Sequence, residues 1–171
     1  MVDVQTISII LAACSFILAS TYYVFNLKHQ RDSREATLFN SINQSLFTQE
    51  RWDTVWKLML NWEYTDYDDF MAKYGPDIDL DAYKRFHHYF SNLEAVGIYL
   101  KRGLIRSDLI DDFMSSDIVL LWEKFEPYIV EARKQRNYPQ YYEHVEYLYN
   151  QIKAIRDKQH PELKDKTTNV A

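Results

Sequence analysis

The sequence predicts an all-α protein: a single N-terminal transmembrane helix continuing into a stalk, then an antiparallel helical bundle. Three observations lead there. Only three Gly and four Pro interrupt 171 residues, too few turn formers for an all-β chain. Apolar residues recur at alternating spacings of three and four along most of the chain, the signature of helices that bury one face. Finally, 24 consecutive residues, Val4 to Leu27, carry no charge.

That uncharged run, "VQTISIILAACSFILASTYYVFNL", is the first element. A helix of this length spans roughly 36 Å, more than the roughly 30 Å of a bilayer's hydrocarbon core. Ile7, Ile9, Ile10, Leu11, Phe16, Ile17 and Leu18 surround it on all sides, whereas a soluble amphipathic helix needs a polar face. Two alternatives fit less well. A buried core helix needs a larger protein around it than the remaining chain provides, and a signal peptide needs a basic start, where this chain begins "MVDVQ". Tyr22 and Tyr23 then sit where an interfacial aromatic belt belongs, and Lys28, Arg31 and Arg34 mark the headgroup side. Because no Lys or Arg precedes the span, the positive-inside rule places the N-terminus outside and the body of the chain in the cytoplasm at the cell membrane. Ser8, Ala12, Ser15 and Ala19 follow 4, 3, 4 spacing, a shallow seam for a second helix.

The domain plan is therefore a membrane helix over 4–27, a stalk over 28–47, a bundle over 48–158 and a disordered tail over 159–171. Leu38, Ile42 and Leu46 carry the stalk. In the next helix Trp52, Val55, Trp56, Met59 and Trp62 share one side, with Thr48 as its N-cap. "TDYDDFMAKYGPD" gives a short helix stopped by Gly75 and Pro76. The strongest period follows, Tyr83, Phe86, Phe90, Leu93, Gly97 and Leu100, opened by Asp79 or Asp81 and closed by Lys101, Arg102 and Gly103. Residues 106–137 give a short and then a longer helix, N-capped by Ser107 and by Ser115 or Ser116, with Pro127 kinking or splitting the longer one. Pro139 opens the last helix, whose Tyr141, Val145, Leu148, Ile152 and Ile155 repeat 4, 3, 4, 3.

Composition excludes several functions. Net charge is −5 overall, and residues 28–171 carry −4 because Asp3 is the sole charge before them; a mildly acidic body is a poor match for nucleic acid. The single Cys14 rules out an intramolecular disulfide and a cysteine-based zinc site. His87 and His88 are the obvious metal pair, but neighbours on a helix point about 100° apart, and Lys84 and Arg85 stand where a di-iron bundle has glutamates. Asp77, Asp79 and Asp81 open like a calcium loop, yet Ala82 and His88 occupy the places that require Gly and Glu. Asp66, Asp68, Asp69, Asp108, Asp111 and Asp112 cluster where helix starts favour acids. Gly75, Gly97 and Gly103 are isolated, so no phosphate loop is present. No catalytic, cofactor or metal site is expected from these residues.

The stretches "NWEYTDYDDFMAKYG", "AYKRFHHYFSNLEAVGIYLKRGLI" and "IVLLWEKFEPYIVEARKQRNYPQYYEHVEYLYNQIK" resemble a family of uncharacterised prokaryotic proteins with one N-terminal membrane helix and a helical cytoplasmic domain, a domain of unknown function. The resemblance covers about residues 50–155. Its most specific pieces are Trp62, Asp69-Phe70, Tyr74-Gly75, "KRGLI" at 101–105 and Trp122-Glu123-Lys124. It implies fold and topology, and no reaction.

The expected function is a membrane-anchored interaction module, an accessory or assembly subunit of a membrane complex. Its partners would be the lipid bilayer and either another protein or a second copy, engaged through the seam and the aromatic bundle surface. The alternative is a tethered enzyme or effector using His87 or His88 with nearby carboxylates.

Overall fold

A computed structural model describes residues 3–46 and 49–161. Among these, six helices and no strand occur: α1 (Val4–Leu46), α2 (Gln49–Leu60), α3 (Tyr67–Tyr74), α4 (Leu80–Lys101), α5 (Ser107–Gln135) and α6 (Glu143–Gln159). The chain divides into two compact units, one running through Asn40 and the other beginning at Ser41.

The first unit is the bulk of α1. Every residue from Asp3 to Arg34 is exposed, and the helix's most apolar stretch has a mean hydropathy of 1.9 with none of it buried. This is one helix long and apolar enough to span a membrane. Thr21 and Ser8 turn their hydroxyls back onto the carbonyls of Ile17 and Val4, at 2.8 and 3.0 Å, so α1 satisfies these polar groups within itself.

In the second unit α6 packs between α4 and α5, while α2 and α3 pack on the same two long helices. Consecutive long helices alternate in direction. Glu123 on α5 meets Tyr149 on α6, and Arg133 meets Glu146, whereas α4 and α6 ascend together, His87 meeting Tyr142 and Glu94 meeting His144. The core is strongly aromatic. Phe70, Phe86, Phe90, Phe125 and Tyr128 are fully buried and touch edge to face or at a tilt, the arrangement aromatic quadrupoles favour. Trp62 closes one side, stacked on Tyr74 with ring centroids 4.2 Å apart.

The helix boundaries follow local chemistry. Asp66 caps α3 by accepting from the Asp69 amide at 2.9 Å, and Asp69 returns the favour to the Thr65 amide at 3.0 Å. Gly75 stops α3 as expected, its N–H on the Met71 carbonyl; a Cβ there would lie 2.2 Å from that oxygen. Asp79 caps α4. Gly103, at φ +64, ends α4 with the paired bonds Gly103 N to Leu100 O and Leu104 N to Tyr99 O, both 2.9 Å, which is a Schellman closure. Asn137 (φ 48) makes the same closure after α5, through Lys134 and Arg133.

Several expectations are corrected. Trp56 is 53% exposed, because the short α2 buries a narrow stripe of Val55 and Leu58 and Trp56 falls one position outside it. Thr48, the side chain of Trp52 and residues 162–171 of the expected tail lie outside the described residues. Arg106, not Ser107, is the residue before α5's first turn. α5 divides into the expected short and longer parts at Met114 (φ −147, ψ 23), directly before Ser115, but the further kink or split expected at Pro127 is not seen. The backbone stays helical through Pro127, although the proline takes from the Glu123 carbonyl its helical donor; the Tyr64 hydroxyl donates to the adjacent Lys124 carbonyl at 2.5 Å. Finally, α6 starts at Glu143 rather than Pro139; Pro139 lies in a turn closed by Tyr141 N to Tyr138 O, and Tyr142 intervenes with φ 56.

Candidate functional site

The sequence-predicted seam residues Ser8, Ala12, Ser15 and Ala19, and the boundary residues Tyr22, Tyr23, Lys28, Arg31 and Arg34, are all exposed on α1. Tyr22 and Tyr23 are 71% and 64% exposed. No residue of this stretch is covered within the unit that holds it.

His87 and His88 part company. His88 is exposed, while His87 turns inward to a polar cluster that joins α4, α5 and the connection between α5 and α6. Its Nδ1 lies 2.7 Å from the Tyr142 hydroxyl and 3.0 Å from that of Tyr141. Arg136 donates to the Tyr83 hydroxyl at 2.6 Å and to Tyr128 at 3.4 Å, and its guanidinium lies over the Tyr141 ring, 4.6 Å from the centroid. Burial first, and the Arg136 charge second, hold the His87 imidazole down at about 4. It is therefore neutral at pH 7, and of its two nitrogens Nδ1 meets the phenols while Nε2 does not. That Nε2 is buried and has no hydrogen-bond partner. Burial also raises the phenols of Tyr128, Tyr141 and Tyr142, keeping them protonated.

Such a cluster suits fastening better than proton transfer. A general base needs a free lone pair facing substrate, whereas His87 spends Nδ1 on tyrosine and encloses Nε2. What the cluster fastens is strained: Tyr142 is a buried, bulky residue in the left-handed region, a conformation that costs about 1–2 kcal/mol. The next residues are held from α4 as well. Tyr142 offers no side-chain cap to α6, and the Glu94 carboxylate supplies one across the interface, accepting from the His144 and Val145 amides at 3.1 and 2.9 Å and meeting His144 Nδ1 at 2.8 Å. A carboxylate at a helix N-terminus is favoured by charge as well as by hydrogen bonding. Gly97 makes this approach possible, since a Cβ there would lie 2.1 Å from the His144 carbonyl oxygen.

A separate surface groove of about 290 Å³ runs beside Pro127, lined by Trp62, Glu63, Tyr64, Thr65, Lys124 and Pro127. Lys124 donates to the Met59 carbonyl at 2.7 Å, and partial burial lowers its pKa. Asp77 and Asp81 are exposed and Asp79 is a cap; among the described residues no three His, Cys, Asp or Glu side chains converge as metal ligands.

Sequence reasoning picked out His87 by its doublet but missed Tyr83, Arg136, Tyr141, Tyr142 and Glu94. No local motif announces them, although the unusual density of tyrosine in 138–149 was a visible sign. A family model described as a domain of unknown function, DUF4760, matches residues 3–152, which takes in α1 as well as the bundle. No curated protein and no solved structure matches the chain.

Proposed function

The chain belongs to the DUF4760 family, and from its geometry we propose a single-pass membrane protein whose bundle lies in the cytoplasm and binds another protein as an accessory or assembly subunit of a membrane complex. The observation that carries this reading is the Val4–Leu27 run of α1, apolar on every side and exposed, followed immediately by Lys28, Arg31 and Arg34. Two surfaces support a protein partner. The small-residue seam Ser8, Ala12, Ser15 and Ala19 suits helix packing in the bilayer, and on α2 the neighbouring Trp56 and Leu60 are 53% and 64% exposed, an aromatic and aliphatic pair of the kind that anchors interfaces.

Full-length protein extracted from its native membrane in mild detergent should co-purify with a membrane protein in fixed stoichiometry. Ala12→Leu/Ala19→Leu should reduce that recovery while leaving the helical circular-dichroism signal unchanged. Recovery of the wild-type chain alone refutes the subunit reading. Topology is tested by introducing single cysteines at Asp3 and Asp68 in a Cys14→Ala background and labelling intact cells with an impermeant maleimide. Label on position 68 rather than 3 overturns the orientation.

A further inference from the structure

The exposed edge of α5 carries a carboxylate that the fold leaves without a counter-charge. Asp117 is half-buried, and among the described residues it makes no hydrogen bond and no ion pair. A carboxylate that has lost water and gained no partner is unfavourable. Its surroundings are apolar and open. Leu120, one turn on, is 48% exposed, and Pro127 is exposed beyond it. Lys124 stands two turns from Asp117 on the same side of α5 and donates to the Met59 carbonyl at 2.7 Å, which ties this edge to the end of α2. There Leu60 follows Met59, and Trp56 lies one turn before Leu60, both exposed.

On the reading of the bundle as an interaction module, on which this step rests, we propose that Asp117 and Leu120 on α5, with Trp56 and Leu60 on α2, form a docking surface for a segment of another protein. That segment presents an Arg or Lys to Asp117 from among apolar residues.

Charge selects the occupant. The Lys124 ammonium is engaged by the Met59 carbonyl and lies in the field of Glu63, and neither Lys124 nor Lys57 of α2 makes an ion pair with Asp117. An anionic lipid surface approaching this edge would meet an unpaired carboxylate, which repels it. A two-fold contact between copies through the same patch would turn one uncompensated carboxylate toward another. A basic side chain from a different protein supplies the missing charge at a site that is already partly desolvated, so the pair forms with less further loss of hydration. Around it, the exposed Trp56, Leu60 and Leu120 provide the aromatic and aliphatic contact that excludes water from such a pair.

The test is photo-crosslinking of the full-length chain in its native membrane, with benzoylphenylalanine replacing Leu60, Leu120 or, as a control on α6, the exposed Asn150. Leu60 and Leu120 positions should capture the same protein, through a peptide with Lys or Arg among apolar residues, and the Asn150 position should not. Asp117→Asn should reduce capture by about tenfold or more, and Asp117→Glu should keep most of it. Because the unpaired carboxylate disfavours folding, Asp117→Asn folds at least as well as wild type, and its loss of capture is a loss of contact. Full capture by Asp117→Asn, capture through a peptide without basic residues, or a crosslink to a second copy overturns the docking surface. Co-purification in mild detergent separates this surface from the reading beneath it. A stoichiometric partner captured only from the Asn150 position overturns the surface and leaves the subunit reading standing, whereas the absence of any partner overturns both.

Discussion

Replacing Gly97 by Ala separates two accounts of α4 that differ in sign. If Gly97 were an ordinary helix residue, Ala would stabilise α4 by about 1 kcal/mol. The structure demands the opposite. The new Cβ would lie 2.1 Å from the His144 carbonyl oxygen, 2.7 Å from its carbon and 3.0 Å from its Cβ. These contacts are backbone for the most part, so α4 and α6 must part by about 1 Å. Overpacking of this size costs about 1–3 kcal/mol. Moving α6 away also stretches the Glu94 carboxylate from the His144 and Val145 amides, now at 3.1 and 2.9 Å, and charge-assisted bonds of this type contribute about 1.5–3 kcal/mol. Offset by the helix-propensity gain, the net loss should be about 2–4 kcal/mol, a large part of a typical domain's stability. Urea unfolding of the full-length protein in micelles, followed by the near-ultraviolet circular dichroism of its buried aromatic residues, measures it. Because Glu94→Gln weakens the same contact, the double variant should lose less than the sum of the two single losses. A Gly97→Ala protein as stable as wild type, or additive losses, would refute the close-approach reasoning.

Two further changes probe the same bundle. Tyr64→Phe should cost about 1–3 kcal/mol by removing the hydroxyl that donates to the Lys124 carbonyl; a variant as stable as wild type in urea unfolding would show that this bond adds nothing. Burial raises the Asp117 carboxyl, so its charged form is disfavoured in the folded state and its contribution to stability grows as pH falls through the raised value. Asp117→Asn should therefore increase the melting temperature at pH 7 by about 1–2 °C, with the difference shrinking below pH 4, and a lower melting temperature at pH 7 would contradict this.

Much of the fold is legible because it is local. The 3, 4 spacing of Phe86, Phe90, Leu93 and Gly97 reports a buried face directly, and Asp66, Asp79, Gly75 and Gly103 mark helix ends through short-range bonds that propensity captures. What fails is what depends on a distant residue. Pro127 carries a breaking signal in its own chemistry, yet the packed helix runs through it. Pro139 looks like a helix start, yet the turn at 138–141 and the fastening of Tyr142 by His87 delay α6 to Glu143. Gly97 is visible as a small residue on the apolar face, while its approach to the His144 backbone belongs to packing. The candidate site follows the same rule: adjacency drew attention to His87 with His88, but helix geometry separates them, and the partners that define His87 lie 54 and 55 residues away.

The cap that Glu94 lends to α6 bears on how the chain is made. Residues 143–159 leave the ribosome after every element they touch, and their first turn is finished by a carboxylate synthesised about fifty residues earlier. Until they emerge, the surface around Gly97 on α4 and Trp122 on α5, which α6 covers through His144 and Tyr149, stays wet and adhesive. A premature stop before Glu143 therefore yields a sticky product with its aromatic floor open, where a smaller working bundle is what gene length alone would suggest. Surveillance of nascent chains would meet such errors as exposed tyrosine and tryptophan, and the emergence of α6 is the step that covers them.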